Sequence, residues 1–283
     1  MFQHFVLTRF NLRKKDWLET KSKTQVLTDE WMRNRLELFE HYCFSSVKAQ
    51  TEQNFNWLVF FDVSTAPEFR ETIDRLASEF RAFIPIYADG MEDFLPAIQR
   101  ELNARLTQPY LITSRLDNDD CLHQDYIKEV QAQFDQQSFL AVDFIDGFTL
   151  QVAPKVRFAK HAHVHNPFLS LIETSKEYKT IWCNERHGYW SEIKQVKTVR
   201  KKPMWMSVIH IENKINAFKG FGDVNLEQLQ AFNICPKAWN YIETHIEPYR
   251  AWRTQGVYHQ LRTGWKVNAK ILKRKLFHGD STT

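Results

Sequence analysis

Three carboxylates fall within four positions, at Asp117, Asp119 and Asp120, directly after the apolar run Tyr110–Leu116. Crowding that much negative charge together is costly unless a cation shares it. The residue types therefore point to a hard divalent ion and the anionic group it carries. If the chain stays extended past the run, Asp117 and Asp119 project to one side with their Cα atoms roughly 7 Å apart. A solvated turn capping the next helix is the plainer reading of the same residues. Calcium of the EF-hand type is excluded: counting from Asp117, the sixth position is Leu122 rather than glycine and the twelfth is Lys128 rather than glutamate. Mg2+ or Mn2+, held by one or two carboxylates together with substrate phosphates, fits better. Arg115 lies just before the cluster, and its planar guanidinium suits a diphosphate.

Other chemistry-bearing residues are more scattered. His161, His163 and His165 alternate, so an extended chain sets three rings on one face. Zinc binding and a solvated basic strand edge both satisfy that pattern, and no H-E-x-x-H motif accompanies it. Glu173, Glu185 and His187 fall in Pro154–Ser191, a stretch of low regularity rich in histidine and aromatics, of the kind that walls a second substrate. No GxxxxGK[ST] phosphate loop is present.

The elements that must position these groups alternate. Phe2–Thr8, Trp57–Phe61, Ala82–Tyr87 and Tyr110–Leu116 are apolar with little alternation, as strands buried on both faces are. Between them, helices are predicted from Thr28, with Leu36, Phe39, Cys43 and Val47 at helical spacing, over Pro67–Phe80, and over Met91–Leu106. Strand–helix alternation favours a doubly wound, mainly parallel sheet, which gathers ligands at the carboxyl ends of its strands. Thr8–Asn11, Asp62 and Asp117–Asp120 should then converge on one edge. Further along, His123–Gln137 reads as a helix, Asp146-Gly147 as the turn of a hairpin within Phe139–Ala153, and Met204–Ile211 as a strand ending near His210.

Charged residues make up 25% and hydrophobic ones 43%, which suits a soluble globular chain with material for a large core. Aromatics reach 14%, enough both to bulk out that core and to line a sugar or base pocket. The four widely spaced cysteines form no CxxC pair and read as reduced thiols of a cytoplasmic protein. No signal peptide or membrane span is expected. The net charge of +4 hides a positive excess beyond Tyr249. Trp265–Phe277 interleaves apolar and basic residues, which suits peripheral association with an anionic membrane surface, or a helix packed on the domain. Nucleic acid is not expected, since no reader motif is present.

The residues also carry a family resemblance. Phe5-Val-Leu-Thr-Arg-Phe-Asn11, Trp57-Leu-Val-Phe-Phe-Asp62, Arg115-Leu-Asp-Asn-Asp-Asp120, Asn166-Pro-Phe-Leu-Ser-Leu-Ile-Glu173 and Pro203-Met-Trp-Met-Ser-Val-Ile-His210 resemble a bacterial rhamnosyltransferase family. That family belongs with nucleotide-sugar glycosyltransferases of the GT-A fold. The resemblance implies a GT-A-like α/β domain, here taken as residues 1–245, and the basic charge pattern sets off a helical tail over 246–283. It implies nucleotide contacts at Thr8, Arg9 and Asp62, a ribose or sugar contact at Asp117, and diphosphate pairing at Arg115. The metal ligands it implies are Asp119, Asp120 and His210. For an inverting transfer, Glu173 is the first candidate base, with His187 and Glu185 behind it. The expected reaction moves a sugar, rhamnose by the resemblance, from a nucleotide-sugar donor to a glycan or lipid-linked acceptor at the inner face of the membrane. A nucleotidyl or phosphoryl transferase using the same carboxylates, or a non-catalytic sugar-nucleotide-binding protein, are the other readings of these residues.

Overall fold

Both faces of β1 (Phe2–Arg9) are covered, and its residues sort between them by alternation. Val6 faces one apolar cluster, and Phe5 and Leu7 face the other. In β2 (Asn56–Asp62), Trp57, Val59 and Phe61 face the first cluster and Leu58 and Phe60 the second. An unbroken apolar run divided between two cores is what a strand buried on both sides requires. The computed structural model describes residues 1–14, 25–183, 187–200, 202–213 and 217–278.

Between these strands α1 (Asp29–Leu38) starts at Thr28, whose hydroxyl oxygen accepts a hydrogen bond from the Trp31 N–H at 3.2 Å. This is the cap its sequence predicts. The helix continues through a π-helical stretch, Phe39–Phe44, into short α2 (Ser45–Lys48). After β2 come α3 (Pro67–Glu79), β3 (Phe83–Ala88), α4 (Gly90–Arg105) and β4 (Tyr110–Arg115), so the expected alternation is present. The chain then forms β5 (Cys121–Leu122), α5 (Tyr126–Gln131), β6 (Phe139–Phe144), β7 (Asp146–Gln151), β8 (Arg157–Ala162), β9 (Ser170–Thr174), β10 (Val196–Val199) and β11 (Trp205–Ile209). It ends in α6 (Pro236–His245) and α7 (Arg253–His278).

Seven strands form the main sheet in the order β10-β6-β9-β4-β1-β2-β3. All the pairings are parallel except those of β9, which runs antiparallel to both β4 and β6. Helices α1, α3 and α5 contribute to the core on one face and α4 to that on the other. This is the GT-A-like, mainly parallel architecture expected. A second sheet, β5-β11-β7-β8, packs on α6 through Phe148, Leu150, Val208 and Ile242.

Two local expectations are corrected. Asp146-Gly147 is not a hairpin turn: both residues lie in β7, and β6 and β7 belong to different sheets. The glycine serves close packing instead, because a Cβ at Gly147 would lie 2.3 Å from the Trp205 ring. The helix expected over His123–Gln137 is confined to Tyr126–Gln131. Tyr126 faces inward there, donating from its hydroxyl to the Phe168 carbonyl.

Candidate active site

The register places the carboxyl ends of β1 and β4 side by side, with Leu7 opposite Arg115. Arg9 and Asp117 therefore emerge together at one edge, as the doubly wound topology requires. There they meet a cleft of about 920 Å³ between this edge, the second sheet and α7. Arg9, Arg35, Arg115, Asp117 and Asp119 line its first half, and Thr149, His161, His163, Trp205, His259 and Arg262 its second.

The acidic segment is a turn rather than an extension of β4: the Asp120 N–H donates to the Asp117 carbonyl at 3.2 Å. Its three carboxylates consequently part company. Asp119 turns into the protein. Its Oδ2 accepts from Arg35 Nη1 at 2.8 Å, His210 Nε2 at 2.9 Å and Asn213 Nδ2 at 3.1 Å. Burial alone would raise the pKa of this group, but the charges of Arg35 and His210 and these hydrogen bonds hold it well below the usual carboxylate range. Asp120 is wholly buried and absent from the cleft lining. Its Oδ1 accepts from the Val208 N–H at 2.9 Å, and desolvation, with the neighbouring Asp119 and Asp117 charges, raises its pKa. The two neighbouring carboxyls are thus pushed in opposite directions, Asp119 towards the ionised form and Asp120 towards the neutral one.

Asp117 faces the cleft. Its Oδ1 is buried without a hydrogen-bond partner, and Arg115 Nη2 lies 3.6 Å away. The Arg115 guanidinium stacks 3.8 Å from the centroid of the Trp182 ring, and that of Arg9 sits 5.3 Å from the same ring. Both guanidiniums thus make cation–π contact with the same indole, which restrains them. In the sequence, nothing beyond its place among the aromatics after β9 points to Trp182.

The remaining predicted residues are placed as follows. Thr8 is buried, with its hydroxyl oxygen accepting from Trp57 Nε1 at 2.9 Å. Asp62 ends β2 and pairs with Arg13 Nε at 2.8 Å. Burial raises its pKa, but hydrogen bonds from Ser64 and Arg13 outweigh that and lower it. Neither residue lines the cleft. Glu173 is in β9, buried, and accepts from the Lys179 and Thr180 N–H groups at 2.9 Å each. It organises the loop after β9 and is turned away from the cleft lining. His187 begins a short 3-10 turn, His187–Ser191, with its side chain outside the described residues, as is Glu185. His161 and His163 do share a face, their rings stacked 6.2 Å apart, whereas His165 has left-handed backbone and sits beside Arg274.

For a divalent ion, Asp119 Oδ2 and His210 Nε2, 2.9 Å apart, would supply an oxygen and a nitrogen donor once Nε2 gives up the proton it shares with Asp119, and phosphate oxygens would complete such a site. Among the described residues, no group of three or more His, Cys, Asp and Glu side chains is arranged to hold a metal by itself. The protein's own cation at this point is Arg35, which came from α1 and had no sequence signal beyond its helical register.

A family model described as "Putative rhamnosyl transferase" matches residues 2–220. No curated protein matches the sequence. Among solved structures, Staphylococcus aureus TarS 1-349 in complex with UDP-GlcNAc is 9% identical, with 76% of this chain and 61% of that one covered and a TM-score of 0.44. HddC from Yersinia pseudotuberculosis is 11% identical, with 73% and 93% covered and a TM-score of 0.34. The chain therefore spans about three-fifths of the TarS chain it is similar to.

Proposed function

The chain belongs to the rhamnosyl transferase family whose model it matches over residues 2–220, and from that premise we propose that it transfers rhamnose from a nucleotide-sugar to a glycan or lipid-linked glycan precursor at the inner face of the membrane. The observation that carries the reading is the pair of guanidiniums, Arg9 and Arg115, stacked on Trp182 beside the cleft-facing carboxylate of Asp117. Two fixed planar cations fit a diphosphate, and an adjacent carboxylate fits the hydroxyls of a ribose or sugar.

Transfer with inversion breaks the bond between the sugar's anomeric carbon and the diphosphate oxygen as the acceptor oxygen bonds to that carbon, and the acceptor's hydroxyl proton passes through cleft water to the solvent. Charge grows on the departing diphosphate and on the ring, which takes oxocarbenium character. Arg9 and Arg115 stabilise the first charge without reorganising, since Trp182 already holds them. When bound, Mg2+ or Mn2+ would be held by Asp119 and His210 and would add positive charge on the same phosphates. Asn213 and Arg35 keep the Asp119 carboxylate oriented and ionised. On the acceptor side, His161 Nδ1 is buried without a partner, and burial lowers its pKa to about 4, so the ring stays neutral and can accept a hydrogen bond that orients the attacking hydroxyl.

A panel of nucleotide-sugars, each incubated with and without Mn2+ and followed for hydrolysis or transfer, tests the reading. Turnover of a deoxyhexose donor above the other sugars supports it. Equal indifference to all donors, with or without metal, would remove it.

A further inference from the structure

Helix α7 has three faces. Val267 and Ile271 pack on Ile145, Ala162 and Val164, and Arg274 is buried beneath them, donating to the Lys194 and Val196 carbonyls. A second face, with His259, Arg262 and Lys266, lines the cleft. The third face carries Tyr258, Leu261, Trp265, Leu272 and Leu276, all between 58% and 73% exposed, with Trp265 at its border also reaching the mouth of the cleft. At 100° per residue these five fall within an arc of about 60° and run for about 27 Å along the helix. So long an apolar row on a solvated face is not what a helix packed on its domain needs.

The charges beside the row select what covers it. From Arg253 to His278 the sequence has no Asp or Glu. Lys270 and Arg274 are spent on the domain, the first donating to the Val164 carbonyl at 2.9 Å. Arg262, Lys266 and Lys273 border the apolar row on the side nearest the cleft, and all three are exposed. An apolar row with a large Trp, bordered by cations and free of acids, complements an anionic lipid surface. No described helix is long and apolar enough to cross a membrane, so the contact lies in the plane of the interface.

We propose that the outer face of α7 docks on an anionic phospholipid bilayer, with Leu261, Trp265, Leu272 and Leu276 inserted among the acyl chains and Arg262, Lys266 and Lys273 against the headgroups. Because the same helix walls the cleft, docking sets the cleft's acceptor side at the lipid surface. This deepens the membrane-side reading above, yet lipid binding is measured without turnover, so either can fail alone.

The test is sedimentation of the full chain with phosphatidylcholine vesicles, with and without phosphatidylglycerol. The expected result is binding to the anionic vesicles only, weakened by salt. Leu261→Ser/Leu272→Ser/Leu276→Ser should weaken binding by about tenfold or more while leaving the melting temperature within a few degrees, as exposed positions allow. Arg262→Gln/Lys266→Gln/Lys273→Gln should weaken it and flatten the salt dependence. Absence of binding, equal binding to neutral vesicles, or a dimer that the leucine variant turns into a monomer without altering lipid binding would each overturn the proposal.

Discussion

Arg35 Nη1 lies 2.8 Å from Asp119 Oδ2, and both side chains are nearly sealed from solvent. α1 thus lends the turn after β4 a permanent positive charge. A buried pair of this kind adds little net stability when intact but leaves a bare charge when halved. Arg35→Met should therefore cost about 3 kcal/mol or more in thermal or denaturant unfolding. Asp119→Asn in the same background should recover part of the loss, because the uncompensated carboxylate is then gone. An Arg35→Met variant as stable as the parent would show that Asp119 is neutral or solvated.

The correction at Gly147 has its own test. A methyl group there meets the Trp205 ring at 2.3 Å, so Gly147→Ala should destabilise by about 1–3 kcal/mol through overpacking. If the residue instead occupied a hairpin turn at the surface, the effect on melting would be small.

Much of the frame was legible because two-sided burial writes an unmistakable apolar run, as in Trp57–Phe61 and Tyr110–Leu116. The turn at Asp117–Asp120 was less legible. Its spacing located the site but could not tell which carboxylate faces the cleft, since that depends on a turn rather than on strand alternation. Arg35, Asn213 and Trp182 come from distant parts of the chain and converge only through the sheet order. Asp146-Gly147 misled for a related reason: a glycine admitted for close packing against a tryptophan looks, in sequence, like one admitted for backbone freedom.

Stability should fall in mild acid. Burial lowers the pKa of His4 to about 3 and of His161 and His165 to about 4, so these rings stay neutral when folded but protonate near 6.5 when unfolded. Below that value the unfolded chain binds more protons, and stability is lost as pH falls from about 6.5 towards 4. Asp143, pushed up to about 7 by burial, acts in the opposite direction, losing its contribution as pH rises through 7. Burial also lowers the pKa of His123 to about 4 and raises those of Asp120 and Glu173, so four imidazoles stand against three carboxyls and the net slope is positive but shallow, about 1.4 kcal/mol per pH unit at most. Melting temperatures between pH 4 and 6.5 check the sign, and His4→Gln should flatten the curve.

The Arg115 guanidinium lies over the Trp182 ring, 3.8 Å from its centroid, a stacking contact that lysine cannot reproduce. Arg115→Lys should raise KM for the nucleotide-sugar donor by about tenfold, which corresponds to 1.4 kcal/mol of lost binding. Trp182→Leu should act similarly by releasing both Arg9 and Arg115. Steady-state kinetics with varied donor would reveal it, and unchanged KM in both variants would move the diphosphate elsewhere.

The most direct test of the account is isothermal titration of the purified chain with nucleoside diphosphates in Mn2+, comparing the parent with Asp117→Ala/Asp119→Ala. The parent should show saturable one-to-one binding, and the double variant its loss or a weakening of about a hundredfold (about 2.7 kcal/mol). Undiminished binding in a folded double variant would contradict the assignment of the turn after β4 as the donor site.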